Sequence, residues 1–340
     1  MLMMDFLLNY GLFLAKTVTL VFFIIVVILL IVSASQKNSS ADDQIEIKNL
    51  SKKFANLKKL MLASTTSKKE FKQLQKQDKQ SSKKESSKIQ ASDQRVFVIN
   101  FVGNIKATAV KHLRKEITAL LSIATDKDEV VICLENSGGL VHEHGLAASQ
   151  LQRIRQRGIP LTVAVDKVAA SGGYMMACVA DRIIAAPFSV LGSIGVIAQM
   201  PNFNKLLERH GIEYEQIKAG DLKRTITMFG KNTDQDRAHF TEQMQETHDL
   251  FKEFVAENRT ELDMKQVATG EHWLGKKALQ LKLVDELMTS DDYLLQKSQE
   301  ATVYEITHRS PKSVGEKLMG NVQSVYEKTL TQWWEKNLFS

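Results

Sequence analysis

Four short, nearly unbroken apolar runs punctuate the middle of this 340-residue chain: Val96–Phe101, Val130–Leu134, Leu161–Val165 and Ile183–Ala186. A strand with one wet face alternates apolar and polar residues. Runs this continuous therefore predict strands buried on both faces. Helical spacing fills the gaps. Val110, Leu113, Ile117, Leu120 and Leu121 share one face over 107–122, His144–Ile154 reads as helix, and so does Met175–Val179. Strand alternating with helix predicts a parallel sheet in an α/β layered body. A long amphipathic helix is expected over 234–257, carrying Phe240, Met244, His248, Phe251, Phe254 and Val255. No internal repeat is evident.

The N-terminus has a different character. Residues 17–32, TVTLVFFIIVVILLIV, carry no charge, and extension back to Leu12 adds only Lys16. About 20 apolar residues span a bilayer, and a lysine near one end reaches the headgroups by snorkelling. Residues 1–36 are thus expected to be a transmembrane anchor. A cleaved signal peptide is the competing reading. It is disfavoured by the length of the apolar core and by the lack of a positive side chain before Lys16. Lys37, Lys48, Lys52 and Lys53 come soon after the span, and by the positive-inside rule they place its C-terminal side in the cytoplasm.

The next segment, 37–92, is rich in Lys, Gln and Ser and nearly free of aromatics. It reads as a solvated basic linker with a weak helix around Leu57, Leu60, Leu62, Phe71 and Leu74. Attraction to anionic lipid is its functional alternative. The net charge of +6 hides an uneven distribution. Residues 37–95 hold 15 basic and 7 acidic side chains, while the chain beyond them is slightly acidic. A nucleic-acid-binding body is therefore not expected. Two cysteines, Cys133 and Cys178, exclude a disulfide scaffold and sit in apolar runs as expected buried thiols.

Three loops hold the candidate chemistry. Glu135-Asn136-Ser137-Gly138-Gly139 comes directly after a strand, and its glycines allow close backbone approach. In Ala169-Ala170-Ser171-Gly172-Gly173 a serine enters an apolar helix. Ser171 is either a helix N-cap or a nucleophile whose oxyanion meets the free N–H groups of the first turn. It does not fit the G-x-S-x-G elbow. The third loop, Gly192-Ser193-Ile194-Gly195, has Lys223 downstream of it, which by spacing alone reads as a surface lysine. His142 and His144 are the Ser–His candidates. Their spacing around Glu143 does not fit the helical zinc motif, and no metal is expected.

These blocks resemble the signal peptide peptidase A and SohB family of membrane-anchored Ser-Lys peptidases. Leu161–Met200 is very similar to the SohB branch, as are Tyr10–Lys16, Gly145–Gln150, Pro201–Asn204 and Val267–Trp273. The likeness covers the anchor and most of the body, to about residue 292. It implies a ClpP/crotonase-like fold of repeated βαβ units over 93–300, with 301–340 as a C-terminal extension. It further implies that Ser171 is the nucleophile, Lys223 the general base, and Ser193 the residue that orients the lysine. Gly138 or Gly139, with Gly172, would supply oxyanion N–H groups. Two departures stand out. The family's Ser-Pro-Gly-Gly is Asn136-Ser137-Gly138-Gly139 here, which frees a φ angle. Leu222 replaces an aromatic residue before Lys223.

A lysine base has to shed its proton against an ordinary pKa of about 10.4, which desolvation or a second cation assists. Leu222, Ile226, Met228, Phe229 and Arg224 are candidates for that work. The resemblance implies peptides or unfolded proteins as substrates, signal-peptide remnants among them, and a homo-oligomeric ring at a bacterial inner membrane. No cofactor is implied, since no Walker-type glycine loop is present. On sidedness the family analogy favours the outer face, against the lysine distribution. The competing functions are a non-catalytic membrane scaffold and a crotonase-type acyl-CoA enzyme, which shares the fold.

Overall fold

The computed structural model describes residues 2–37, 44–74, 94–220, 222–223 and 225–309. Helix α1 runs from Leu2 to Lys37 without a break and contains the apolar run 17–32. Its side chains are described only in part. Among the described residues no helix is long and apolar enough to cross a membrane.

The rest forms a separate compact unit, Ile45–His308. Its elements in chain order begin with β1 (Gln44–Asn49), α2 (Leu50–Thr65), α3 (68–74) and β2 (Arg95–Gly103). Next come α4 (Val110–Leu121), β3 (Glu129–Asn136), α5 (Val141–Arg155), β4 (Leu161–Val165) and β5 (Val168–Ala170). Then come α6 (Gly172–Ala177), β6 (Arg182–Ala185), β7 (Val190–Gly192) and α7 (Asn204–Arg209). The chain continues through α8 (Asp234–Asn258), α9 (Met264–Val267), β8 (His272–Leu274) and α10 (Gly275–Gln280). It closes with β9 (Glu286–Leu287), α11 (Ser290–Glu300) and β10 (Thr302–Arg309). The main sheet has the order β1-β10-β2-β3-β4-β6-β9. From β10 through β2, β3, β4 and β6 to β9 each successive pair is parallel. A branch leaves it where β5 pairs with β3 and then with β7, and β7 carries the antiparallel β8. This mixed α/β arrangement is consistent with the ClpP/crotonase-like fold implied by the resemblance.

The strand residues divide between two cores by the two-residue period of a strand. Phe97, Ile99, Phe101, Val130, Ile132, Leu161 and Val163 face one core, under helices such as α4, α5 and α6. Val96, Val98, Val131, Ala164 and Ile184 face the other, together with Leu50, Tyr293, Leu294 and Val303. That second face explains a departure from the sequence reading. A sheet buried on both sides needs a second cover, and the chain supplies it from α2 and α11.

The division expected at residues 93 and 300 therefore moves. Residues 45–65 are no linker: β1 joins the sheet edge, Leu50 is buried, and Phe54 packs against the second core. The Ser51 hydroxyl accepts from the Val303 N–H at 3.0 Å. Likewise 301–309 is not an extension but the strand between β1 and β2. Of the rest of the expected linker, 68–74 form α3, while 38–43 and 75–92, like the chain after residue 309, lie outside the described residues.

Candidate active site

Strand β5 ends at Ala170, and helix α6 begins at Gly172. Ser171 is the single residue of the turn between them. The turn is so tight that Ser171 takes φ 53° and ψ −120°, where a side chain is ordinarily disfavoured. Its hydroxyl makes no capping bond to α6. The N-cap reading of this serine is thereby removed, and the Oγ is left for other work. Two backbone bonds hold the strained turn: Ser171 N–H to Gly192 O at 2.8 Å, and Met175 N–H to Ser171 O at 2.9 Å.

Ser193 lies beside it. β5 and β7 run parallel with Ala170 opposite Gly192, so each serine is the next residue beyond a paired position. Ser193 shares the unusual backbone, with φ 51°, and its N–H donates to Glu271 O at 2.6 Å. Strand spacing puts such neighbours about 5 Å apart at the backbone. Gly192 has φ 93°, and a Cβ there would strike the Trp273 ring at 2.7 Å.

The Gly-Gly loop closes over the same turn. A Cβ on Gly138 would lie 2.7 Å from the Ser171 Cβ and 2.9 Å from the Gly172 nitrogen. Only glycine permits that approach, and the φ of 91° also demands it. On its other side Gly139 lies against the Ile105 carbonyl, which accepts the Leu140 N–H at 2.9 Å. The Gly138 N–H is occupied, donating to Asn136 Oδ1 at 2.7 Å. The N–H groups of Gly139 and Gly172 have no acceptor among the described residues. Of the three glycines expected to serve an oxyanion, these two have a free donor.

The histidine candidates are placed elsewhere. His142 is exposed, 3.9 Å from Glu143. His144 is fully buried, and both its ring nitrogens face oxygens: Nδ1 lies 2.9 Å from Leu140 O and Nε2 3.2 Å from Asn136 Oδ1. Neither nitrogen is paired with Ser171. Asn136 is the residue of this site that the sequence reading passed over, because an amide after an apolar run looks like a turn residue.

Lys223 closes a turn with Gly220 through a 3.1 Å backbone bond. Its side chain is exposed, and no hydrogen bond joins it to Ser171 or Ser193 among the described residues. Leu222, Met228 and Phe229 are also exposed, and Ile226 is half-buried. Arg224 lies outside the described residues. The two cysteines are free thiols, Cys178 buried and Cys133 half-buried. Burial pushes Cys133 up to about 12 and raises Cys178 as well, so both are inert near neutral pH.

Known sequences match this arrangement along its length. The pattern of peptidase family S49 N-terminal fits residues 5–151, and that of peptidase family S49 fits 153–304. The chain is 46% identical over 321 residues to the "Probable protease SohB" of Haemophilus influenzae, covering 91% of each. It is 46% identical over 327 residues to the protein of the same description from Buchnera aphidicola subsp. Acyrthosiphon pisum, covering 96% of this chain and 97% of the relative. With two matched regions that span nearly the whole unit built around Ser171, the chain belongs to peptidase family S49.

Proposed function

We propose that this peptidase is a membrane-anchored serine endopeptidase with a Ser-Lys dyad. One observation carries the reading. Ser171 stands on a strained strand-to-helix turn with Ser193 alongside, and among the described residues its hydroxyl and the N–H groups of Gly139 and Gly172 have no partner. In this mechanism Lys223, as the neutral amine, removes the Ser171 proton while Oγ attacks a peptide carbonyl. The Gly139 and Gly172 N–H groups receive the resulting oxyanion. The protonated lysine returns its proton to the leaving amine, and water then hydrolyses the acyl-enzyme by the same route. Ser193 orients the amine. No metal or organic cofactor takes part. Peptides and unfolded proteins, signal-peptide remnants among them, are the substrates.

Lys223 reaches its serine in a homo-oligomeric ring. The described residues of 195–232 hold one short helix, α7, and expose Ile197, Met200, Phe203, Leu206, Ile212, Tyr214 and Ile217, the last at 96%. Apolar exposure on this scale marks a contact surface. A second copy laid on it would also desolvate Lys223, as a lysine base requires. The uncharged run 17–32 within α1 anchors the ring to a bacterial inner membrane.

The test is covalent labelling by a fluorophosphonate, with hydrolysis of casein or a fluorogenic peptide measured in parallel. The wild type should be labelled on Ser171, and Ser171→Ala should lose both label and activity. A non-catalytic scaffold or an acyl-CoA enzyme would leave Ser171 unlabelled, and that result would overturn the reading.

A further inference from the structure

Behind the Gly-Gly loop lie two fully buried polar side chains that the Ser-Lys chemistry does not use: Asn136, the last residue of β3, and His144, one turn into α5. Burying an amide and an imidazole costs free energy that apolar residues would not, unless their hydrogen bonds do something useful. The bonds here converge on the loop. Asn136 Oδ1 accepts the Gly138 N–H at 2.7 Å, and the amide nitrogen points at Met176 Sδ, 3.7 Å away. The Gly138 donor fixes which end of the amide is oxygen. His144 Nε2 faces that same oxygen at 3.2 Å, so a bond there requires that Nε2 carry a hydrogen.

The imidazole touches the other half of the site too. A Cβ on Gly172 would meet His144 Cγ at 2.4 Å. One ring therefore lies against the first residue of α6, and with its hydrogen on Nε2 rather than on Nδ1, which faces Leu140 O at 2.9 Å, it also holds the amide that holds Gly138. The loop needs such a brace. Gly138 and Gly139 take φ values of 91° and 153°, and Ser137 fixes no angle as proline would.

We propose that His144 and Asn136 are positioning residues, a buried pair that sets the Gly139 and Gly172 N–H groups at the spacing the oxyanion needs. This rests on the serine-peptidase reading of Ser171. Neither side chain touches the reacting atoms, so their removal slows turnover and leaves substrate binding nearly untouched. Loss of an oxyanion donor costs about 10²–10³ in kcat, and a loosened donor costs part of that.

The experiment compares two variants of the full chain. His144→Phe keeps a ring of similar size and removes the donor. His144→Gln places an amide N–H near the position of Nε2 and keeps it. We expect kcat to fall about tenfold or more in His144→Phe, with KM within about threefold of wild type, and to stay within about threefold in His144→Gln. Wild-type kcat in His144→Phe, equal losses in the two variants, or a loss confined to KM would overturn the proposal. If His144→Phe does not fold, the other end of the bond gives the same comparison. Asn136→Asp keeps the accepting oxygen and should outperform Asn136→Leu in kcat, and equal rates would overturn the proposal. Wild-type labelling by fluorophosphonate, run alongside, separates this failure from failure of the serine-peptidase reading, in which the wild type itself stays unlabelled.

Discussion

At the scale of single residues, backbone strain at the site and buried bonds elsewhere in the fold have opposite signs for stability. Ser171 sits at positive φ, which costs about 1–3 kcal/mol for a residue with a Cβ. Ser171→Ala removes the hydroxyl and keeps the strain, whereas Ser171→Gly removes both. Both should be inactive, and Ser171→Gly should melt at the higher temperature by calorimetry. Equal melting temperatures would argue that the turn is unstrained. Asp128 works the other way. Burial alone would raise its pKa, but bonds from the Arg95 guanidinium, the Thr125 N–H and hydroxyl, and the Arg95 N–H outweigh it and hold the carboxyl below its usual range. A depressed folded-state pKa stabilises above the unfolded value of about 3.9 and loses that contribution as pH falls through the folded value. Asp128→Asn should therefore lower stability by about 1.5–3 kcal/mol at pH 7, with the gap to wild type closing in acid. Urea unfolding at pH 7 and pH 3 checks this. Of these residues Ser171 and Gly138 were singled out by the family resemblance, since small residues after an apolar run read by themselves as a turn or a helix N-cap. Asn136 and Asp128 were not, because their burial is decided by partners 8 to 33 positions away.

At the scale of elements, β2, β3, β4 and β6 were legible because apolar continuity reports burial on both faces, whereas β5 and β7, the three-residue strands that lead into Ser171 and Ser193, were too short to stand out. Helix α8, Asp234–Asn258, was legible from its periodicity, and the Thr233 capping box sets its start. The edge of the sheet was not legible. In α2 only Leu50 is buried, and four lysines interrupt its exposed apolar residues, so its composition resembles a linker although the sheet depends on it. β1 is similar: QIEIKN is too short and polar to stand out, yet it covers β10. This alters where the chain can be cut. A chain beginning at Asp93 loses β1 and α2, unpairs the edge of β10 and uncovers Val303 and Tyr293. An unpaired edge beside apolar surface promotes aggregation. A chain beginning just before Gln44 should stay soluble, and one beginning at Asp93 should aggregate or melt markedly lower. Size-exclusion chromatography and thermal melts compare them, and equal behaviour would show that β1 and α2 are dispensable.

At the scale of the whole molecule, the proposed dyad has its two members far apart in one chain. Ser171 and Ser193 are fixed side by side by strand register, while Lys223 lies 52 residues beyond Ser171 in an exposed stretch with no bond to either. That stretch is nevertheless ordered against itself. The Asn202 amide donates to Thr227 O at 2.9 Å and Gly230 O at 3.1 Å, and Phe203 and Tyr214 both pack on Phe229. In the proposed ring, an arm that folds on itself while exposing Ile197 and Ile217 would dock as a unit with little further loss of entropy. The proposed ring then completes each site with the lysine of a neighbouring copy. Ser171→Ala and Lys223→Ala should each be inactive alone, and Lys223→Arg should not rescue, because guanidinium stays protonated. Co-assembled, the two inactive proteins should regain activity, since some interfaces pair an intact Ser171 with an intact Lys223. In a ring where each site takes one residue from either side, random mixing of equal amounts restores about a quarter of the wild-type sites. Recovery near that level, measured with a fluorogenic peptide after dissociation and reassembly, would place the dyad across the interface. No recovery in rings shown by light scattering to be mixed would place Ser171 and Lys223 in one chain and require the arm to fold back onto its own serine.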